Sequence, residues 1–361
     1  MTVNYPACGL PIPLISAGEL WVDVINGNDA TGRRNYRVYP FRYFESALAA
    51  SSDYDTIHIV PASSVVSSSG INNSSAITIN KGLQVICDSL SNDTYPFFLN
   101  TTITITLSAA KYVLFKGVGI YNTTLTSPCV TVTAVSSETV LFEDCYLYNA
   151  TGTPTYLSTS GTWLSSGTGG SATTRSRLIL NRCNLFGRAV LGAGTVGSPF
   201  DLKGLTEFNS CTMGSATSQP GLIQVNSGAV IVNNMLHCPA LLLNGGMLVV
   251  RGCDVPYEDG SNNLILANAT DTVGKSILVV DGMNTMGRWR DPMTASQAAM
   301  GKINIGANVL YSLNNVLIPA GNVVIDASAQ EYSTYLSGQG KTTNMVLYNS
   351  TPVYGSGVAL T

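Results

Sequence analysis

Apolar and polar residues alternate in short bursts along this chain, and between Leu222 and Cys253 one such burst is written twice. Leu222-Ile-Gln-Val-Asn-Ser-Gly-Ala-Val-Ile-Val-Asn-Asn-Met235 is followed by Ala240-Leu-Leu-Leu-Asn-Gly-Gly-Met-Leu-Val-Val-Arg-Gly-Cys253. Asn226 answers to Asn244, Asn233 to Arg251 and Met235 to Cys253, each 18 positions further on. An apolar run, an Asn- or Gly-rich turn and a second apolar run at a fixed period describe one coil of a solenoid. A coil this small cannot bury its own apolar face and must stack on its copies.

The end of the coil recurs well beyond this pair. Two apolar residues, a polar pair and a small apolar residue end at Val118, Cys145, Cys183, Cys211, Met235, Cys253, Met283 and Val316, and more weakly at Ser89. This predicts β-arcs: strands joined where the polar pair bends the chain. Asn181, Asn209, Asn233 and Asn314 share one column and predict an amide ladder between coils. No 3.6-residue period runs through the region, which excludes an α-solenoid. Residues 151–175 and 286–302 interrupt the pattern as loop insertions, the second with a short helix over Thr294–Met300 ended by Gly301. Further strands are expected at Asn322–Asp326 and Met345–Tyr348.

The opening residues follow another pattern. A strand at Glu19–Ile25, a turn at Asn26–Asp29, an amphipathic helix over Pro40–Ser51 and a strand at Asp55–Val60 suit a cap over the first coil, whose exposed edge needs cover. The expected organisation is one domain, with a cap at 1–62, coils at 63–330, and C-terminal strands and tail at 331–361.

Composition narrows the function classes. Only 11% of the 361 residues are charged, against about 25% in ordinary soluble domains. A net charge of −3 with scattered Lys and Arg leaves no electrostatic footprint for nucleic acid. No apolar stretch approaches the roughly 20 residues that span a bilayer, and the first residues lack the n- and h-regions of an export signal. Cys145, Cys183, Cys211 and Cys253 occupy one repeat position, so they are expected to point inward as stacked free thiols. Zinc is not expected: there is no Cys-x-x-Cys, and His58 and His237 lie far apart.

The cap also carries a resemblance. Trp21-Val-Asp-Val24, Asn26-Gly-Asn-Asp-Ala-Thr-Gly32, Pro40-Phe41, Phe44-Glu-Ser-Ala-Leu-Ala-Ala50 and Asp55-Thr-Ile-His-Ile-Val-Pro61 resemble the strand, turn, helix and strand that open proteins of the pectate-lyase-like superfamily. Tyr43 and Ala62 depart from the small residue and the glycine usual there. The resemblance implies an all-β fold, a right-handed single-stranded parallel β-helix with an N-terminal strand–helix–strand cap. That superfamily spans polysaccharide lyases and hydrolases, phage tailspikes and noncatalytic virion proteins, so the likeness speaks to architecture and leaves activity open.

Carbohydrate chemistry on such a fold requires paired carboxylates about 5–10 Å apart, or an acidic calcium cluster beside a base. Coils stack at about 4.8 Å, so one column can supply a pair. The column two residues before the coil end reads Lys116, Glu143, Asn181, Asn209, Asn233, Arg251, Asp281, Asn314, with no two carboxylates adjacent. Glu143, Asp281 and Arg251 are the weak catalytic candidates it offers, and Arg251 with Asp281 reads first as a structural salt bridge. Asp254, Glu258 and Asp259 form the densest acidic group, which could serve a hard cation but reads first as an ordinary turn. Trp163 in the first insertion, and Trp289 between Arg288 and Arg290 in the second, are the candidate surface contacts.

These readings favour a noncatalytic virion structural protein: a capsid-attached spike or fibre, a minor capsid component or a tail-spike body. It would be made in the host cytoplasm and exposed on the particle. Its expected partners are other virion proteins, further copies of itself (a trimer being common in such assemblies) and a host-surface glycan. No cofactor, nucleic acid or membrane insertion is expected. The alternative is a polysaccharide-degrading β-helix enzyme such as a phage depolymerase. A bacterial surface adhesin is a third reading, disfavoured by the lack of an export signal.

Overall fold

The polar pair of the coil signature acts on the backbone through its second member. The residue just before each coil end lies in the left-handed region: Gly117 (φ 67°), Asp144 (51°), Arg182 (53°), Ser210 (51°), Asn234 (51°), Gly252 (59°), Gly282 (74°) and Asn315 (51°). That conformation costs most L-residues roughly 1–2 kcal/mol and suits Gly, Asn and Asp best, which accounts for the residue types in this column. A single such residue turns the chain from one face of the coil to the next. Its N–H stays paired, since Gly117 donates to the Glu143 carbonyl (3.0 Å), Asp144 to Asn181 (3.0 Å), Ser210 to Asn233 (2.9 Å) and Asn234 to Arg251 (2.8 Å). Each of these four bends is tied to the following coil.

The computed structural model describes residues 2–4, 11–13, 17–61, 70–87, 96–107, 111–122, 128–133, 138–149, 155–160, 176–193, 204–214, 222–236, 238–254, 263–267, 276–284, 302–319, 323–331, 346–348, 353–354 and 358–359. The chain divides into two compact units, residues 1–156 with 176–184, and residues 157–175 with 185–361.

In the first unit the longest sheet runs through Glu19–Val22, Asp55–Ile59, Leu83–Cys87, Tyr112–Lys116, Thr139–Glu143 and Ser176–Asn181, all parallel. A second sheet stacks Ala76–Ile79, Thr102–Thr106 and Val130–Thr133. The third stacks Phe97–Leu99, Gly119–Asn122 and Tyr146–Asn149. The chain visits the second sheet, then the long one, then the left-handed bend, then the third. In the second unit Gly204–Asn209, Ala229–Asn233, Met247–Asp254, Ser276–Asn284 and Val309–Pro319 form the long sheet. Arg188–Ala193, Leu222–Val225, Ala240–Leu243, Asn263–Ala267, Lys302–Ile305 and Val323–Ile325 form a second sheet, and Thr212–Gly214 is a strand of a third. The chain is a parallel β-helix. Parallel crossovers of this kind are right-handed in about 98% of cases.

The coil-end residues Val118, Cys145, Cys183, Cys211, Met235, Cys253, Met283 and Val316 are all buried. The thiols among them also act as weak donors. Cys145 Sγ donates to the carbonyls of Phe115 (3.4 Å) and Glu143 (3.3 Å), and Cys183 Sγ to those of Phe142 (3.5 Å) and Asn181 (3.4 Å). Cys87, Cys129, Cys145, Cys183, Cys211, Cys238 and Cys253 are buried free thiols. Inside the first unit, Phe44, Phe98, Phe115 and Phe142 form a run of ring contacts with centroids 4.9, 6.2 and 5.1 Å apart. Of the predicted amide ladder the second unit holds one step, Asn233 Nδ2 donating to Asn209 Oδ1 (2.8 Å), whereas Asn314 Nδ2 donates to Ser312 Oγ (3.1 Å). A separate amide step in another column runs from Asn244 Nδ2 to Asn226 Oδ1 (3.0 Å).

The cap differs from its sequence pattern in extent. Its helix covers Phe44–Ala50, four residues shorter at the start than the amphipathic pattern. The backbone of Phe41 is taken by the first strand, donating to Trp21 and accepting from Asp23, while Asp29 Oδ1 accepts the N–H groups of Arg42 (2.8 Å) and Tyr43 (3.1 Å). The first strand stops at Val22 because Asp23 Oδ1 starts an Asx turn onto Ile25 and Asn26. Within the insertion at 151–175, Thr155–Ser160 is a strand, in keeping with its β-prone Thr and Tyr residues. The helix expected over Thr294–Met300 lies outside the described residues, as does His237.

Candidate functional site

Glu143 ends a strand of the long sheet in the first unit, with Lys116 and Asn181 beside it in the ladder. Asp144 and Arg182 occupy the left-handed bends of successive coils. This stacking assembles a charge network that neighbouring sequence positions do not suggest. Lys116 Nζ lies 3.2 Å from Glu143 Oε1, and Arg182 Nη2 lies 2.8 Å from the same oxygen. Arg182 also grips Asp144 with Nε at 2.8 Å and Nη2 at 2.9 Å. Hydrogen bonds to Asp144 and then Glu143 raise the Arg182 pKa further above its ordinary value. The Glu143 side chain is only 12% exposed, while Arg182 is 55% exposed.

Immediately after these bends the chain enters the third sheet, whose outward positions are mostly aromatic. Phe97, Tyr121, Tyr146 and Tyr148 are half-buried. Tyr121 and Tyr148 are ladder partners with stacked rings 4.5 Å apart. Phe97 meets Tyr121 edge-on at 5.8 Å and Tyr146 at 5.9 Å, and Tyr146 lies nearly parallel to Tyr148 at 5.9 Å. Gly119 stands between Phe97 and Tyr146 in the register, and a Cβ there would fall 2.3 Å from the Phe97 ring. Glycine therefore allows Phe97 to cross the middle strand. Burial, followed by the neighbouring phenols, raises the Tyr146 and Tyr148 pKa values, so these hydroxyls stay protonated and able to donate hydrogen bonds at neutral pH.

The other sequence candidates stand apart from this surface. In the second unit Arg251 and Asp281 are ladder neighbours, and Asp281 Oδ1 accepts from Asn315 Nδ2 at 3.1 Å. Asp254 is half-buried, with Oδ1 taking no hydrogen bond among the described residues. Glu258 and Asp259 lie outside the described residues, as do Trp163, Arg288, Trp289 and Arg290. Among the described residues no three His, Cys, Asp or Glu side chains gather in a metal-binding group. His58 stacks on Trp21 with centroids 5.2 Å apart.

The aromatic surface had a signal in the sequence. Tyr146-Leu-Tyr148 alternates aromatic and aliphatic residues directly after its coil end, and Gly119-Ile-Tyr121 repeats the pattern with glycine in the first place; period-two alternation puts the aromatics on one face. The total of 17 Tyr conceals that pattern.

No family model matches the chain, and no curated protein matches it. It is similar to a solved structure of a protein named Rhamnogalacturonan lyase, at 13% identity over 87% of this chain and 84% of that one, with a TM-score of 0.43. At that identity and score the likeness carries nothing about activity.

Proposed function

We propose that this protein is a noncatalytic structural component of a virus particle, a spike, fibre or minor capsid body, that holds a host-surface glycan against Phe97, Tyr121, Tyr146 and Tyr148. The ring cluster beside the Lys116–Glu143–Arg182–Asp144 network carries the glycan-holding part of this reading. Half-buried aromatic side chains suit the apolar patches of sugars, and tyrosine hydroxyls add hydrogen bonds. The network beside them is mutually paired, which suits a binding surface better than an acid–base pair. Seven buried free thiols among the described residues fit assembly in a reducing cytoplasm, and the stacked coils fit a rigid, protease-resistant body. Peptide mass spectrometry of purified particles from the source culture tests the location. Stoichiometric presence supports the reading, and absence from particles with the protein free in the medium defeats it.

A polysaccharide-degrading enzyme is the second reading. The observation in its favour is the largely buried Glu143 carboxylate, three residues before Tyr146 in the ring cluster. Glu143→Gln decides between the two. If the wild type cleaves a host glycan and this variant does not, the enzyme reading replaces the first.

A further inference from the structure

The cap carries an outer surface that covering a coil does not require. Its segment Arg33–Phe41 closes the free edge of the first strand: Asn35 N–H donates to the Glu19 carbonyl (2.6 Å), Glu19 N–H to Asn35 Oδ1 (2.8 Å), and Phe41 N–H to the Trp21 carbonyl (2.8 Å). Arg34 turns inward and forks onto the fully buried Asp55, Nε and Nη2 each at 2.6 Å. Edge protection rests on these groups. Yet the other side of the segment exposes Tyr36 (54%), Val38 (79%) and Tyr39 (46%), with Ile25 (56%) nearby in the chain. These are four of the six exposed large apolar side chains among the described residues. Terminal caps of solenoids keep a polar outer face for solubility, and this one departs from that rule.

Charge surrounds the apolar group. Arg33, Arg37 and Arg42 are exposed, with Arg33 over the Tyr39 ring at 5.4 Å and Arg42 over Tyr43 at 5.3 Å. Tyrosine, arginine and exposed aliphatic residues together are the composition of interface centres. The same cap bears Glu19, Asp23 and Asp29. The last two hold turn N–H groups with their carboxylate oxygens. Glu19 and Asp29 are exposed as well, so the cap carries exposed charges of both signs beside its apolar residues, which makes it complementary to a second copy of itself.

We propose that the cap is a pairing surface for a second copy of this chain, joined face to face about a two-fold axis with Tyr36 and Val38 at the centre. Such an isologous contact sets the arginines of one copy against the acids of the other and buries the apolar residues between them. The segment is built in advance by its own turns: Gly32 N–H donates to Asn28 (2.7 Å), Arg33 to Tyr39 (3.0 Å) and Tyr39 to Tyr36 (3.1 Å). Little ordering cost opposes the contact. The pairing holds whether or not the chain belongs to a virus particle.

Sedimentation velocity of the full chain across micromolar concentrations tests it. The wild type is expected to form a dimer, and Val38→Asp to weaken that dimer by about tenfold or more. The variant changes only an exposed side chain, so its thermal melting should match the wild type; Arg37→Glu, also exposed, provides an independent second variant. A photo-crosslinking residue placed at position 38 should join residues 17–45 of the other copy. A wild type that stays monomeric overturns the proposal, as does an oligomer indifferent to both variants. Crosslinks in the native assembly that reach a different protein, a lipid or a nucleic acid overturn it too.

Discussion

Phe97 and Gly119 contend for one volume, and the glycine concedes it: a Cβ on Gly119 would lie 2.3 Å from the Phe97 ring. The place of Phe97 in the aromatic surface depends on that concession, because Phe97 crosses the middle strand to meet Tyr146. Gly119→Ala is expected to displace Phe97 and destabilise the fold by about 1–3 kcal/mol, the usual cost of overpacking. A lowered melting temperature with altered tyrosine near-UV dichroism would show it. Tyr121→Ala should preserve the fold and weaken retention in a host-polysaccharide affinity gel by about tenfold. Unchanged retention would exclude these rings as the sugar surface.

The left-handed bends predict opposite outcomes for two small substitutions. Ser210 sits at φ 51°, where glycine is at ease, so Ser210→Gly should raise stability by up to about 1 kcal/mol. Gly252 sits at φ 59°, and a Cβ added there would fall only 2.5 Å from Asn234 Oδ1. Gly252→Ala should therefore destabilise, by roughly 1–2 kcal/mol. Denaturant midpoints for the pair measure both signs at once.

Arg182 ties two coils together by ion pairs at a half-exposed position. Such pairs contribute little in water, so Arg182→Ala should cost only about 0.5–1 kcal/mol. The difference from wild type should shrink as salt rises, since screening acts on exposed charges. Chemical denaturation in urea at low and high salt checks the dependence.

Burial pushes the Cys129 thiol from its ordinary value of 9.0 up to about 12. The folded-state pKa is the higher one, so the stabilisation is complete below pH 9 and is lost as pH rises from about 9 towards 12. At pH 10 the loss from this thiol alone is on the order of 1 kcal/mol. Cys129→Ala should flatten that part of the stability profile. A thiol reagent at pH 8 should label none of the seven described cysteines until the protein unfolds.

How much of this is legible in the sequence follows from the physics of each feature. The coil ends can be read because an inward small residue and a left-handed bend each demand particular residue types, Cys145 and Asp144 being one such pair. The cap can be read because Asp23 and Asp29 hold turns whose hydrogen bonds are local or nearly so. The helix start at Phe44 cannot, since the competition for the Phe41 backbone comes from Trp21 and Asp23, well before it in the chain. The Glu143–Arg182 contact escapes for a similar reason: 39 positions separate the two, and only coil stacking makes them neighbours.

Sequence by itself therefore determined the repeat, the strand-and-bend grammar and the inward thiols, because those are properties of one coil. Only the tertiary structure decided which side chains meet. Phe97, Tyr121 and Tyr146 come from three different coils, and register alone brings them together. The length of each intervening loop, which no local pattern constrains, sets how far apart in the chain such neighbours lie.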